Sequence, residues 1–119
     1  MARVSVLFAL LFATSVAYLP LAQAAVGAAV GSRARLSCSD SYASILSSVT
    51  RVQIGEMTIF AGYRQASANN KDPVFARFDE TVQTWCHDDL ETTGDDQEAY
   101  GLLVDTTDDV IYGFVTCTG

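Results

Sequence analysis

From Val49 onward the chain breaks into short runs of β-branched and aromatic residues separated by tight turn signals, and this rhythm restricts it to an all-β fold. Val49-Thr50-Arg51-Val52-Gln53-Ile54 alternates as a half-buried strand does, Gly55-Glu56 is a turn pair with Gly first, and Met57 to Tyr63 resumes apolar strand character, which together predict a hairpin. Ala66 to Pro73, with Asn69-Asn70 and Asp72-Pro73, reads as a loop. Val74 to Phe78 and Val82 to Trp85 flank the turn Asp79-Glu80-Thr81 as two further strands. A polar loop from His87 to Glu98 leads to a strand from Tyr100 to Val104, a turn from Asp105 to Asp109 and a last strand from Val110 to Cys117. The expectation is an antiparallel β-meander of six strands over residues 49–119.

The residues before this meander have a different character, since Val4 to Gly31 contains no charged side chain. Arg3 provides a positive start, Val4 to Leu19 an apolar helix-compatible stretch, and Pro20 breaks it before the small residues Ala22 and Ala24 of an A-x-A cleavage pattern. Residues 1–24 therefore read as a secretory signal peptide with a helical core, which places the domain outside the cell, in a periplasm or at the cell surface. An uncleaved membrane anchor is the alternative. It conflicts with the positive-inside bias, because Arg33 and Arg35 follow the apolar stretch and would hold the domain in the cytoplasm. Residues 25–48 read as a flexible N-terminal segment, with a short helix or irregular structure over Ser39 to Ser48.

Export permits disulfides, and the three cysteines Cys38, Cys86 and Cys117 allow one internal bridge with one thiol left over. Their pairing is open at this level. The formal net charge is −7, and it is unevenly spread: Lys and Arg stop at Arg77, while most acidic side chains lie from Asp79 onward. Such a surface repels phosphate backbones, so nucleic acid is excluded as a partner class.

Candidate chemistry is sparse. Asp88, Asp89, Glu91, Asp95 and Asp96 form an acidic stretch that could offer oxygen ligands to calcium, although their spacing matches no EF-hand, and turn formation by Asp is the plainer reading. Asp105 to Asp109 likewise reads as a hairpin turn. His87, the sole histidine, follows Cys86, but neighbours on an extended strand point to opposite faces, so the two cannot act as a nucleophile and base. No G-x-S-x-G elbow occurs, and no catalytic constellation can be assembled. The aromatic residues Phe60, Tyr63, Phe75, Phe78, Trp85, Tyr100, Tyr112 and Phe114 lie within strands, where core packing is the default and a carbohydrate-stacking surface the alternative.

The stretch from Pro73 to Gly119, PVFARFDETVQTWCHDDLETTGDDQEAYGLLVDTTDDVIYGFVTCTG, resembles the SBBP-type repeat of bacterial secreted β-propellers. The features that carry the resemblance are Phe75 to Asp79, Trp85, Gly94-Asp95-Asp96, Tyr100 to Asp105 and Ile111-Tyr112, in that order. A partial echo of Asp109 to Val115 in Met57 to Tyr63 fits a blade-length period. The resemblance implies one to two propeller blades. A closed propeller needs about four to eight, so it also implies the front part of a longer secreted protein, with self-association through open strand edges as the other outcome. The function implied is a secreted or cell-surface module that binds or scaffolds a protein or carbohydrate. Two alternatives accompany it: part of a propeller-based extracellular enzyme whose active site lies in other blades, and a small calcium-stabilised extracellular module.

Overall fold

The computed structural model describes residues 25–90 and 94–118, so the expected leader at 1–24 lies outside the described residues. Strand β1 spans Val26–Val30, helix α1 Tyr42–Ile45, β2 Thr50–Ile54, β3 Met57–Ser67, β4 Asn70–Asp79, β5 Val82–His87, β6 Asp96–Asp105 and β7 Val110–Thr118. All named strand pairs are antiparallel, and they form two sheets, a four-stranded one ordered β2-β3-β4-β5 and a three-stranded one ordered β1-β6-β7. The all-β expectation is met.

Local chemistry explains the hairpins. The β2–β3 loop is the pair Gly55-Glu56, closed by Ile54 opposite Met57, and Gly55 has φ +61°, which only glycine adopts without steric cost. The β3–β4 hairpin is longer than the sequence predicts. Residues expected as a loop, 66–73, continue the two strands, with Ser67 opposite Asn70 across a two-residue turn. The reason is tertiary: Arg64 and Asp72 sit opposite one another and pair at 3.1 Å, giving the polar end of the hairpin a reason to extend. Pro73 is tolerated because β5 pairs only with Phe75 to Asp79, so no ladder bond is required on that side.

The middle of β3 is covered on both faces, which accounts for the unbroken run of buried residues from Thr58 to Gly62. One face of the four-stranded sheet packs on the three-stranded sheet through Val52, Ile59 and Ala61 against Ala99, Leu102 and Val104. The other face presents Phe60, Val74, Ala76 and Phe78 to Leu36, Ile45 and Val49. Tyr42 of α1 sets its ring against Phe60 and Phe78, with centroids 5.9 and 5.5 Å apart, and the Cys38–Cys86 disulfide ties this cover to β5. Ser41 caps the helix, its Oγ accepting from the Ser44 N–H.

Two expectations are revised. Residues 25–48, expected as a flexible lead-in, supply β1 and most of the cover: Leu36 is buried in the core, its N–H donates to the Tyr63 carbonyl, and the Tyr63 N–H donates to the Ala34 carbonyl. The segment has apolar anchors at Leu36 and Ile45 spaced too irregularly to register as a periodic pattern. The meander is also shorter than expected. It runs from β2 to β5, after which the chain crosses to the second sheet, so the strands of the blade-like unit are divided, β4 and β5 in one sheet and β6 and β7 in the other. Among the described residues no helix is long and apolar enough to cross a membrane.

Candidate binding groove between the open sheet edges

The two sheets meet unevenly. On one side β1 lies close over β2, but on the other the edges β5 and β7 splay apart and leave a groove of about 280 Å³. Strand alternation decides its lining. Phe75 on β4 and Trp85 and His87 on β5 point to the inter-sheet side, Ile111, Gly113 and Val115 do so from β7, and Leu90 arrives from the crossing segment. Cys86, between Trp85 and His87, points the other way into its disulfide, as the alternation requires.

Gly113 shapes the floor. A Cβ there would stand 2.3 Å from Cζ of Phe75, so the Phe75 ring lies flat on the β7 backbone only because position 113 has no side chain. The Trp85 and His87 rings, with centroids 5.2 Å apart and planes inclined at 35°, form an aromatic wall opposite. His87 is the one titratable group among the described lining residues. The groove can therefore bury apolar surface and stack planar groups, with the Trp85 indole N–H and the His87 imidazole as the polar side-chain groups of its lining.

The strand that bounds the groove is itself exposed on both faces. Ile111 and Val115 face inward yet are each 36% exposed, and on the outer face Tyr112 and Phe114 are 53% and 43% exposed. Core packing, the default for the aromatic residues, thus holds for Phe60 and Phe78 but not for Tyr112 and Phe114, because among the described residues no layer covers the outer face of β7. Trp85 and Phe75 are only partly buried at the groove. The groove went unseen in the sequence because its parts come from three strands in two sheets. The one available signal was a glycine between two aliphatic residues at 111, 113 and 115.

The described members of the acidic stretch do not converge. Asp88 stands near Arg64, whose Nε lies 3.9 Å from Asp88 Oδ2 and donates to the Asp88 carbonyl, while Asp96 Oδ1 accepts from the Lys71 N–H at 3.0 Å. Asp89 is exposed, and Glu91 lies outside the described residues. Among the described residues no three His, Cys, Asp or Glu side chains gather in a way suited to a metal ion. Asp105 does serve a turn, its Oδ1 accepting from the N–H groups of Thr107 and Asp108.

Two ion-pair clusters brace the sandwich away from the groove. Glu98 on β6 takes Lys71 of β4 at 2.8 Å and Arg33 at 3.3 Å, linking the sheets. The hydrogen bond to Glu98 raises the Lys71 pKa above its ordinary value, helped by the charges of Glu98 and Asp96 and opposed by desolvation. Asp72, almost fully buried, holds Arg64, while Cys117 on β7 is an exposed free thiol. Comparison of the chain with known protein families, with characterised proteins and with solved structures finds no match.

Proposed function

We propose that the chain is an exported binding module whose working surface is the groove between β5 and β7, and that it takes an extended polypeptide segment along the β7 edge. The observation that carries this reading is the coincidence of an apolar groove with an uncharged strand edge that is unpaired among the described residues. An edge strand offers alternate N–H and C=O groups to an incoming strand, and side-chain recesses beside it supply selectivity. Export is supported by the leader pattern at 1–24 and by the Cys38–Cys86 disulfide, which suits an oxidising compartment. A scaffolding role in a larger secreted assembly is compatible with the same edge. The propeller-blade resemblance contributes less, since a blade would hold the strands β4 to β7 in one sheet.

Trp85 is the sole tryptophan and lines the groove, so its fluorescence reports occupancy directly. Titration with a nonapeptide of alternating Val and Thr is expected to shift the emission to shorter wavelength with saturation. An emission spectrum that does not move up to millimolar peptide would count against the reading. Cleavage after Ala24 is checked separately, by sequencing the N-terminus of the exported chain.

A further inference from the structure

Among the described residues four strand edges bound the two sheets, and three of them are guarded. β1 is five residues long and lies over β2; β2 carries Arg51 and is continued along β3 by the 34–36 segment; β5 is short and is interrupted by an extra residue at Thr84, where its register with β4 shifts. Charges, short length and bulges are the devices by which natural sheets discourage further pairing. β7 has none of them. From Val110 to Thr118 it carries no charge and no proline, and the irregularity in its sheet lies at Tyr100 on β6.

We propose that β7 pairs with β7 of a second copy of this chain, antiparallel about Phe114, which joins two three-stranded sheets into one of six strands. The inference rests on reading β7 as a strand-accepting edge and identifies the strand. Full overlap of Val110–Thr118 with itself occurs in one register, the one centred on Phe114. That register sets Phe114 opposite Phe114 and Tyr112 opposite Thr116 on the outer face, so the exposed aromatic residues cover one another. On the inner face Gly113 falls opposite Val115, and the two grooves merge into one.

Charge favours the same orientation. One end of β7 adjoins the turn with Asp105, Asp108 and Asp109, which make no ion pair among the described residues; the other adjoins Asp96, opposite Thr118, and Glu98, beside which stand Lys71 and Arg33. Antiparallel pairing places each acidic turn at the other copy's mixed-charge end, where two cations stand beside the carboxylates, whereas parallel pairing would set the two acidic turns side by side. A paired edge of nine residues is about 30 Å long, and with side chains on both faces it buries on the order of 1,200 Å² in total, the lower bound for a stable interface.

The test is sedimentation velocity of the exported chain in a Cys117→Ser background, which removes thiol cross-linking, across roughly 1 to 300 μM, a range that brackets weak dimers. A reversible dimer is expected. Phe114→Lys and Phe114→Glu are each expected to weaken it about 100-fold by placing like charges opposite, with unchanged circular dichroism, and an equimolar mixture of the two is expected to restore it as a heterodimer. A chain that stays monomeric throughout, or a dimer indifferent to both substitutions, or a mixture with no rescue, overturns the proposal. If that monomer still shifts its Trp85 emission with the Val/Thr nonapeptide, the strand-accepting reading stands and self-pairing alone is lost; if it does not, both are lost.

Discussion

Glu80 follows β4 with φ 57°, in the left-handed region where a side chain costs about 1 kcal/mol or more. Its N–H donates to the Glu56 carbonyl, a bond that glycine would keep. Glu80→Gly is therefore expected to raise stability by about 0.5–1 kcal/mol, relief of strain exceeding the entropy that glycine adds to the unfolded chain, and the midpoint of urea denaturation checks it. Gly113 is the opposite case. Gly113→Ala drives a methyl into the Phe75 ring and is expected to cost about 1–3 kcal/mol, read as a lower urea midpoint at unchanged slope. The Lys71–Glu98 contact makes stability depend on pH on the alkaline side. Because the folded pKa of Lys71 is raised, its contribution is full below the ordinary lysine pKa and is lost as pH climbs through the raised value. The difference in thermal midpoint between the parent chain and Lys71→Gln should shrink over that alkaline window and stay constant at neutral pH.

At the scale of elements, what could be read from the sequence was whatever is encoded locally. The β2–β3 hairpin, with Gly55-Glu56 between alternating runs, and the Asp105 to Asp109 turn appear where their residues predict. The extension of β3 and β4 to Ser67 and Asn70 was hidden behind turn-forming residues, because the Arg64–Asp72 pair that overrides them exists only once the hairpin closes. β1 was hidden for a related reason. Val26-Gly27-Ala28-Ala29-Val30 is too small and uniform to show alternation, and it becomes a strand by pairing with Val104 and its neighbours some 75 residues later. The groove, assembled from β4, β5 and β7, has only the spacing of Gly113 between Ile111 and Val115 as a local signature, while in the acidic stretch Asp88 pairs with Arg64 and Asp96 accepts from the Lys71 N–H. β7 is the element in which structure and proposed function meet, since the features that leave it exposed also suit it to pairing.

For the whole molecule, the Cys38–Cys86 bond joins the cover to the four-stranded sheet and closes a loop of 48 residues. Chain entropy assigns such a closure about 4 kcal/mol, and native bridges in small exported domains measure about 2–5 kcal/mol. Replacing both cysteines by Ala is expected to lower the free energy of unfolding by about 2–4 kcal/mol, and a smaller loss in denaturant would mean that Leu36, Ile45 and Val49 hold the cover unaided. A molecule sealed on one face by this cover and closed along one side by β1 and β2 has its open side at β5 and β7. The most direct measurement of that asymmetry is amide hydrogen exchange at the lowest workable concentration, with and without the Val/Thr nonapeptide. Slow exchange is expected from Thr58 to Tyr63 of β3 and from Val74 to Phe78 of β4, fast exchange at alternate amides of Val110–Thr118 in the free chain, and slowing of those same amides when peptide is added. Uniform protection of β7 in the free chain, or peptide-induced slowing confined to another edge, would contradict that expectation.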